Sequence, residues 1–123
     1  MGKITSFTDI IAWKKGHSFV TEIYKATNSF PRSEIFGLTN QIRRAVVSIT
    51  SNIAEGFGRT SVKERLQFYS ISRGSILETQ NQLLIARDVG YLHNNDFVKL
   101  ADLSIEVHKL INGLITKTKE NLS

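Results

Sequence analysis

The polar segment at residues 48–64, SITSNIAEGFGRTSVKE, holds the side chains of this sequence that come closest to a reaction centre. Asn52, Glu55 and Arg59 follow one another at helical spacing, and the Glu55 carboxylate could act there as a general base. Proton transfer of that kind needs a pocket and usually a second ionisable group. Neither a histidine nor a second carboxylate stands next to Glu55 in the sequence. We therefore expect no catalytic residue and no enzymatic activity.

A structural corner between two helices explains the same segment more fully. Gly56 stands where a helix would stop, and Gly58 stands where the chain would turn. Ser61, with Glu64 one turn later, matches a capping box that starts the next helix. The predicted corner consists of Asn52, Glu55, Gly56, Gly58, Ser61 and Glu64.

Glu55 would carry its charge in the last turn of the helix that precedes this corner. The helix dipole disfavours a carboxylate there by about 0.3–1 kcal/mol. Arg59 and Arg65 are both close enough in sequence to offset that cost across the corner. We therefore expect Glu55 to form an ion pair with one of these two arginines, in a structural or an interface role.

Metal and cofactor sites have no comparable support. The three histidines, His17, His93 and His108, have no i, i+4 relation and no HExxH context, and the chain has no cysteine. The glycines of the corner follow no strand and match no phosphate-binding loop. We expect neither a metal nor a cofactor.

Apolar residues recur at helical spacing along the chain, with few breaks. One break contains the only proline, Pro31, and the last is the YLHNND turn that follows Gly90. The pattern predicts helices at about 8–28, from 37 to Gly56, from the Ser61 cap to about Val89, and from the YLHNND turn nearly to the C-terminus. Four helices with short connections indicate an all-α fold, an antiparallel up-down-up-down four-helix bundle.

The composition fits one globular domain over residues 1–123. Hydrophobic residues make up 41% of the chain and charged residues 22%, close to the averages for globular proteins. No apolar run approaches the ~20 residues that cross a bilayer, and the N-terminal MGKITSFTDI lacks the apolar core of a signal peptide. The lack of cysteine fits a reducing compartment. We expect a soluble protein of the cytoplasm.

The second predicted helix carries few charges for a helix with one side in water. Only three of residues 38–57 are charged. A polar stripe runs beside the apolar one and contains Gln41, Arg44, Ser48, Ser51, Asn52 and Glu55. The third helix has a matching stripe with Ser72, Ser75 and Thr79 in its middle, small enough for close helix approach. Two interpretations remain open: a polar seam shared by these helices, or a face that packs against a second copy in a homo-oligomer.

Positive charge is concentrated around the corner. The net charge is +5, and residues 43–73 hold six bases and two acids. Lys and Arg neutralise phosphates without needing a shaped pocket, so this surplus favours a nucleic-acid partner. The candidate contacts are Arg43, Arg44, Arg59, Lys63, Arg65 and Arg73. Arg73 could instead flank an interface between subunits, together with Arg87. No helix-turn-helix or RRM pattern is visible, so we do not expect the protein to read a base sequence.

Two stretches carry a family resemblance: FPRSEIFGLTNQIRRAVVSITSNIAEGFGR at 30–59 and SRGSILETQNQLLIARDVGYL at 72–92. They resemble the bacterial four-helix-bundle family of ribosomal-RNA intervening-sequence proteins, which carries a ribosomal-protein-like label. The most specific positions are 51–56, Gly58, Arg59, Gly74, Ser75 and Glu78. The resemblance implies a ring-like homopentamer. It also implies similarity to the accessory variability protein of diversity-generating retroelements, a basic bundle that engages nucleic acid.

Two functions from different classes are consistent with these patterns. The first is a non-enzymatic, oligomeric protein that binds nucleic acid, with RNA favoured over DNA, through a basic face. The second is a structural adaptor or scaffold ring that presents a surface to a protein partner.

Overall fold

Four long helices make up most of the structure, a computed structural model that describes residues 3–122. They are α1 (Ile11–Thr27), α2 (Leu38–Phe57), α3 (Val62–Asp88) and α4 (Asn94–Lys119). Short 3₁₀ turns lie at Phe7–Asp9, Arg32–Glu34 and Glu120–Leu122, and the described residues contain no strand. The all-α prediction with four helices is therefore confirmed.

Ion pairs between α1 and α4 show the direction in which these helices pack. Lys15 Nζ lies 3.3 Å from Glu106 Oε1, and Lys99 Nζ lies 2.9 Å from Glu22 Oε1. A later residue of α1 thus meets an earlier residue of α4, so the two helices are antiparallel. Short connections join the consecutive helices, and each packs against its neighbours in chain order. This is the arrangement of an up-and-down four-helix bundle.

The core is built from the apolar stripes of all four helices. Tyr69 is the bulkiest fully buried side chain. The other large side chains that exclude water completely are Phe19, Ile23, Ile42, Ile49, Ile53, Ile76, Ile111, Val46 and Val107. Tyr24 of α1 is 40% exposed, and the Arg43 guanidinium carbon lies 4.6 Å from the centroid of the Tyr24 ring.

The ends of α1 and α3 differ in how closely they follow the predictions. α3 ends at Asp88, close to the predicted end at about Val89. Gly90, just past this end, has a φ of +85°, the left-handed conformation that glycine tolerates best. The Tyr91 amide then donates to the Ala86 carbonyl at 2.9 Å, which completes a Schellman motif. α1 begins later than predicted, at Ile11, because Ser6 and Asp9 close a capping box around a separate 3₁₀ turn.

The Glu34 carboxylate connects the two loops at the end of the bundle opposite the corner. One oxygen accepts from the Leu38 amide at 3.0 Å, and the other accepts from the Tyr91 hydroxyl at 2.9 Å. The first bond supplies α2 with the side-chain cap that Gly37 lacks at the N-cap position. Both bonds lower the pKa of the Glu34 carboxyl below its usual 4.5, and the bond from the Leu38 amide has the larger effect.

We expect Glu34 to make the stability of the protein depend on acid pH. Because folding lowers its pKa, its stabilising contribution is fully present above the unfolded-state value of 4.5 and is lost as the pH falls through the folded-state value. Unfolding by urea at a series of pH values should show this loss in the wild type. Glu34→Gln should remove that part of the dependence. An NMR titration of the Glu34 carboxyl with a midpoint at or above 4.5 would contradict the assignment.

Candidate nucleic-acid interface

The corner between α2 and α3 lies one residue further along the chain than predicted. α2 continues through Gly56 to Phe57, and Gly58 is its C-cap. The Gly58 amide donates to the carbonyls of Ala54 at 3.3 Å and Glu55 at 3.2 Å. The prediction that Gly56 stops the helix was therefore wrong, whereas Gly58 does occupy the turn.

Gly56 is required for close packing rather than for a helix end. A Cβ atom at this position would lie 2.7 Å from Tyr69 Cε1 and 3.0 Å from Phe68 Cβ, closer than real side chains approach. The glycine thus allows the α2 backbone to rest directly on the Tyr69 ring. Tyr69 is 2% exposed, and its burial raises its pKa. A glycine near a helix end suits both roles equally well, so the sequence pattern alone cannot separate them.

Half of the predicted capping box forms at the start of α3. The Ser61 hydroxyl oxygen accepts from the Glu64 amide at 3.0 Å, as a capping serine does. The Glu64 carboxylate, however, accepts from the Ser61 hydroxyl at 3.2 Å instead of reaching the Ser61 backbone amide. The cap therefore satisfies one of the free amides at the helix start. The second bond of a full capping box, from the Ser61 backbone amide to the Glu64 carboxylate, is replaced by the bond from the Ser61 hydroxyl.

Glu55 pairs with Arg59, one of the two partners considered from the sequence. Arg59 Nη2 lies 3.3 Å from Glu55 Oε2, and the guanidinium also lies over the Phe68 ring at 4.7 Å. Both charged groups are exposed, so the pair contributes little to stability. Arg65 instead donates through Nε to the Arg59 carbonyl at 2.8 Å, which ties the first turn of α3 to the corner.

A polar seam joins α2 to α3 behind the corner. The Ser72 hydroxyl donates to the Ile49 carbonyl at 2.7 Å in a fully buried position. The Ser75 hydroxyl donates across to the Ser48 hydroxyl oxygen at 2.8 Å, and within α2 the Asn52 side-chain amide donates to the Ser48 carbonyl at 2.8 Å. These contacts support the shared-seam interpretation for the inner part of the stripe. Its outer members, Gln41, Arg44, Ser51 and Glu55, remain exposed in the subunit.

Two of the six candidate bases are engaged between helices. Arg43 donates through Nε to Thr27 Oγ1 at 2.9 Å and through Nη2 to Asn28 Oδ1 at 3.2 Å, so it fastens α2 to the end of α1. Arg73 donates to Asn112 Oδ1 at 3.1 Å and bridges α3 to α4. Because they point to different sides of the bundle, the six candidates do not share one face.

Arg44 stands apart from the corner as well. It lines an open, polar depression of about 420 Å³ on the α2/α3 side, with Gln41, Glu78 and Gln82. It forms no ion pair with any residue of 3–122. Arg44 is therefore available to a partner, but at a distance from the other exposed bases of the candidate set.

Arg59, Lys63 and Arg65 do gather, at the end of the bundle that we call the corner end. The antiparallel register of α3 and α4, fixed by the bond of Gln80 Nε2 to Ser104 Oγ at 3.1 Å, carries the last turn of α4 to this same end. Two more exposed bases, Lys117 and Lys119, lie in that turn. The sequence analysis missed them because it counted charge along the chain and not across the bundle. The signal that would have revealed them is the combination of basic residues with the up-and-down topology.

Three of these corner-end bases are free to meet a partner. In the part of the chain that the structure describes, Lys63, Lys117 and Lys119 have no ion pair. At the same end, Arg59 lines a shallow open groove of about 570 Å³ together with the 3₁₀ residue Phe7 and with Ser51, Ala54, Glu55 and Gly58. The arrangement is an open, solvated surface that carries exposed bases, which can attract phosphates electrostatically.

Other kinds of site receive no support from the described residues. Residues 3–122 contain no group of three His, Cys, Asp or Glu side chains placed to hold a metal ion. His17 stacks on Trp13 with ring centroids 4.8 Å apart. None of the described helices combines the length and the apolar character needed to cross a membrane.

Comparison with known proteins identifies the family. The model of the 23S rRNA-intervening sequence protein family matches residues 8–113, most of the chain. The chain belongs to this family. A crystal structure described as a protein of unknown function from the S23 ribosomal protein family of Bacteroides thetaiotaomicron VPI-5482 superposes with a TM-score of 0.80. That likeness covers 89% of this chain and 98% of the other at 22% identity, and it shows the shared fold alone. None of the curated proteins matches the chain.

Gly56→Ala should destabilise the protein although alanine is the better helix former. The added methyl group would overlap the buried Tyr69 ring, and overpacking of this kind costs about 1–3 kcal/mol, against a helix-propensity gain of about 1 kcal/mol at most. We expect a net loss of about 1–2 kcal/mol in the free energy of unfolding, measured with urea.

Gly113→Ala is the matched control for this experiment. Gly113 lies inside α4, where an added Cβ meets nothing within 4 Å, so the same change should leave the stability unchanged or raise it by up to about 1 kcal/mol. Equal effects of the two substitutions would show that contact with Tyr69 does not decide the role of Gly56.

Proposed function

We propose that this protein is a non-enzymatic, oligomeric RNA-binding protein of the cytoplasm that contacts phosphates through the corner end of its bundle. The observation that carries the proposal is the gathering of bases from α3 and α4 and from the turn that precedes α3, with Lys63, Lys117 and Lys119 free of ion pairs to residues 3–122. The family to which the chain belongs is named for sequences that interrupt 23S ribosomal RNA, which favours RNA over DNA.

The chemistry of the corner end suits the RNA backbone better than the base edges. Lysine ammonium groups neutralise phosphates as point charges and release the counterions bound there. Arg59 and Arg65 are already bonded within the corner, and they add positive potential more than new hydrogen bonds. Binding should therefore depend strongly on salt and weakly on base sequence.

A homo-oligomer is part of the proposal. α2 as a whole is poor in charge, with three charged residues over 38–57, and a ring would cover part of its exposed side. Cyclic symmetry would also repeat the corner end around one rim, so that several weak phosphate contacts act together. A pentamer is the copy number that the family resemblance implies. Light scattering at working concentration should give a mass several times the 13.9 kDa of one chain, and a monomeric mass would contradict this part.

RNA binding should weaken when corner-end lysines lose their charge. We expect the double substitution Lys63→Gln and Lys119→Gln to lower the affinity for a structured ribosomal RNA fragment. The slope of log affinity against log salt should fall by about 1 for each phosphate contact that is lost. Gel-shift titrations at two salt concentrations would measure both quantities, with duplex DNA as a second probe.

A second pair of substitutions, Arg44→Gln and Lys109→Gln, removes the same charge from exposed positions away from the corner end. This control should reduce affinity less than the corner-end pair does. An equal loss in both pairs would remove the corner end as the binding site. No salt-sensitive binding of the wild type at micromolar protein would refute RNA binding altogether.

An adaptor that presents a surface to a protein partner is the second candidate. Its support is the number of large apolar side chains in water, among them Ile71 and Leu77, which are 52% and 53% exposed. A pull-down from the native cell after nuclease treatment separates the two functions. A partner protein retained in stoichiometric amount favours the adaptor, whereas its loss with the RNA favours RNA binding.

A further inference from the structure

The connection between α1 and α2 exposes an aromatic side chain almost completely. Phe36 is 94% exposed, and its neighbour Ile35 is 50% exposed. Both lie between the 3₁₀ turn Arg32–Glu34 and the start of α2, where the Glu34 bonds hold the backbone in place. The phenyl ring thus projects into solvent from a backbone that these bonds hold, and we call this apolar projection the Phe36 knob. An aromatic group gains most from burial, so a projection of this kind indicates a partner surface.

An apolar groove lies between α3 and α4 of the same subunit. It has a volume of about 270 Å³ and is lined by Leu83, Leu84, Phe97, Ala101 and Ile105, together with Gln80 and Ser104. The two polar residues are bonded to each other, since Gln80 Nε2 donates to Ser104 Oγ at 3.1 Å. The groove therefore suits an apolar occupant the size of one or two side chains, below the ~300 Å³ typical of small-molecule pockets.

One free charge near the knob and one near the groove have opposite signs, while Arg87, whose guanidinium lies 4.5 Å from the ring centroid of the groove residue Phe97, is paired with Asp88. Arg32, at the start of the 3₁₀ turn before the knob, is exposed and has no ion pair with residues 3–122. Asp102, next to Ala101 at the groove, is likewise exposed and without an ion pair in that range. A copy that brought its knob to the groove would also bring a guanidinium towards this carboxylate, so shape and charge select the same partner.

We propose that the Phe36 knob of one copy inserts into the α3/α4 groove of a second copy, with Arg32 beside Asp102 across the interface. This interface rests on the homo-oligomer of the proposed function and names the surfaces that form it. Because two different surfaces meet, the contact is heterologous and can repeat from copy to copy until a ring closes. The exposed Leu77, Val98 and Ile105 around the groove extend the apolar contact.

The knob is an anchor within a larger interface. One buried aromatic side chain removes about 150–250 Å² from water, whereas a stable interface buries about 1,200–2,000 Å² in total. Side chains at the centre of such a contact dominate its affinity. Truncation of the anchor should therefore weaken association far more than its share of the area suggests.

The test measures self-association by sedimentation velocity over a range of protein concentrations. Phe36→Ala and Ile105→Lys should each weaken association at least about tenfold. Ile71→Lys is the matched control, because Ile71 lies on α3 outside the groove and is exposed to nearly the same degree as Ile105, 52% against 49%. The control should keep the wild-type mass. Circular dichroism and urea unfolding of each variant show whether the bundle itself stays intact.

A charge exchange tests the orientation of the contact. Arg32→Asp alone and Asp102→Arg alone should each weaken association, and the double variant should restore it. An oligomeric wild type whose mass survives both Phe36→Ala and Ile105→Lys would overturn the knob-in-groove interface while leaving the oligomer in place. A monomeric wild type would overturn the oligomer and this interface together. RNA affinity, which depends on the corner-end lysines, is measured separately and reports on the other half of the proposed function.

Discussion

The close approach of α2 to α3 is the constraint on which the rest of the structure depends. At Gly56 the backbone of α2 touches the Tyr69 ring with no side chain between them, and a few turns away the Ser72 hydroxyl donates to the Ile49 carbonyl at 2.7 Å. A larger side chain at either place would separate the helices. Because these contacts set the distance between α2 and α3, they also set how tightly the corner folds and where Arg59 and Lys63 are displayed. Of the polar residues that first suggest catalysis, Asn52 is bonded within α2 beside these contacts, and Glu55 and Arg59 form an exposed ion pair at the corner.

The sequence predicted the architecture well because the signals for it are local. Apolar periodicity located all four helices, and glycine at position 90 marked a true left-handed helix end. The same logic failed at Gly56, since what decides its role is Tyr69, a residue of another helix. The start of α1 was also missed, because the Ser6 and Asp9 side chains compete with the helix by closing a turn of their own. The misplaced boundaries are thus positions where a contact, and not a propensity, decides.

The candidate site was harder to predict because a charged surface belongs to the folded chain and not to a segment. Arg43 and Arg73 are near the corner in sequence but are bonded to helices on different sides of the bundle. Lys117 and Lys119 are far from it in sequence but share its end of the bundle. When the charges are placed on the folded bundle, the candidate interface is one basic end of the bundle and not a basic stretch of the sequence. That end is a smaller and better defined target.

The Glu34 carboxylate, bonded to both the start of α2 and the Tyr91 hydroxyl, has a consequence for the entropy of association. These bonds connect the loop that carries Phe36 with the loop that leads into α4, although 57 residues separate Glu34 from Tyr91 in the chain. In a ring built from knobs and grooves, each subunit would use the first loop towards one neighbour and the helix after the second loop towards the other. Because the Glu34 bonds already hold both loops in the free subunit, either contact would form with little further ordering of the chain. Surfaces prepared in this way lose less conformational entropy on association than mobile ones do.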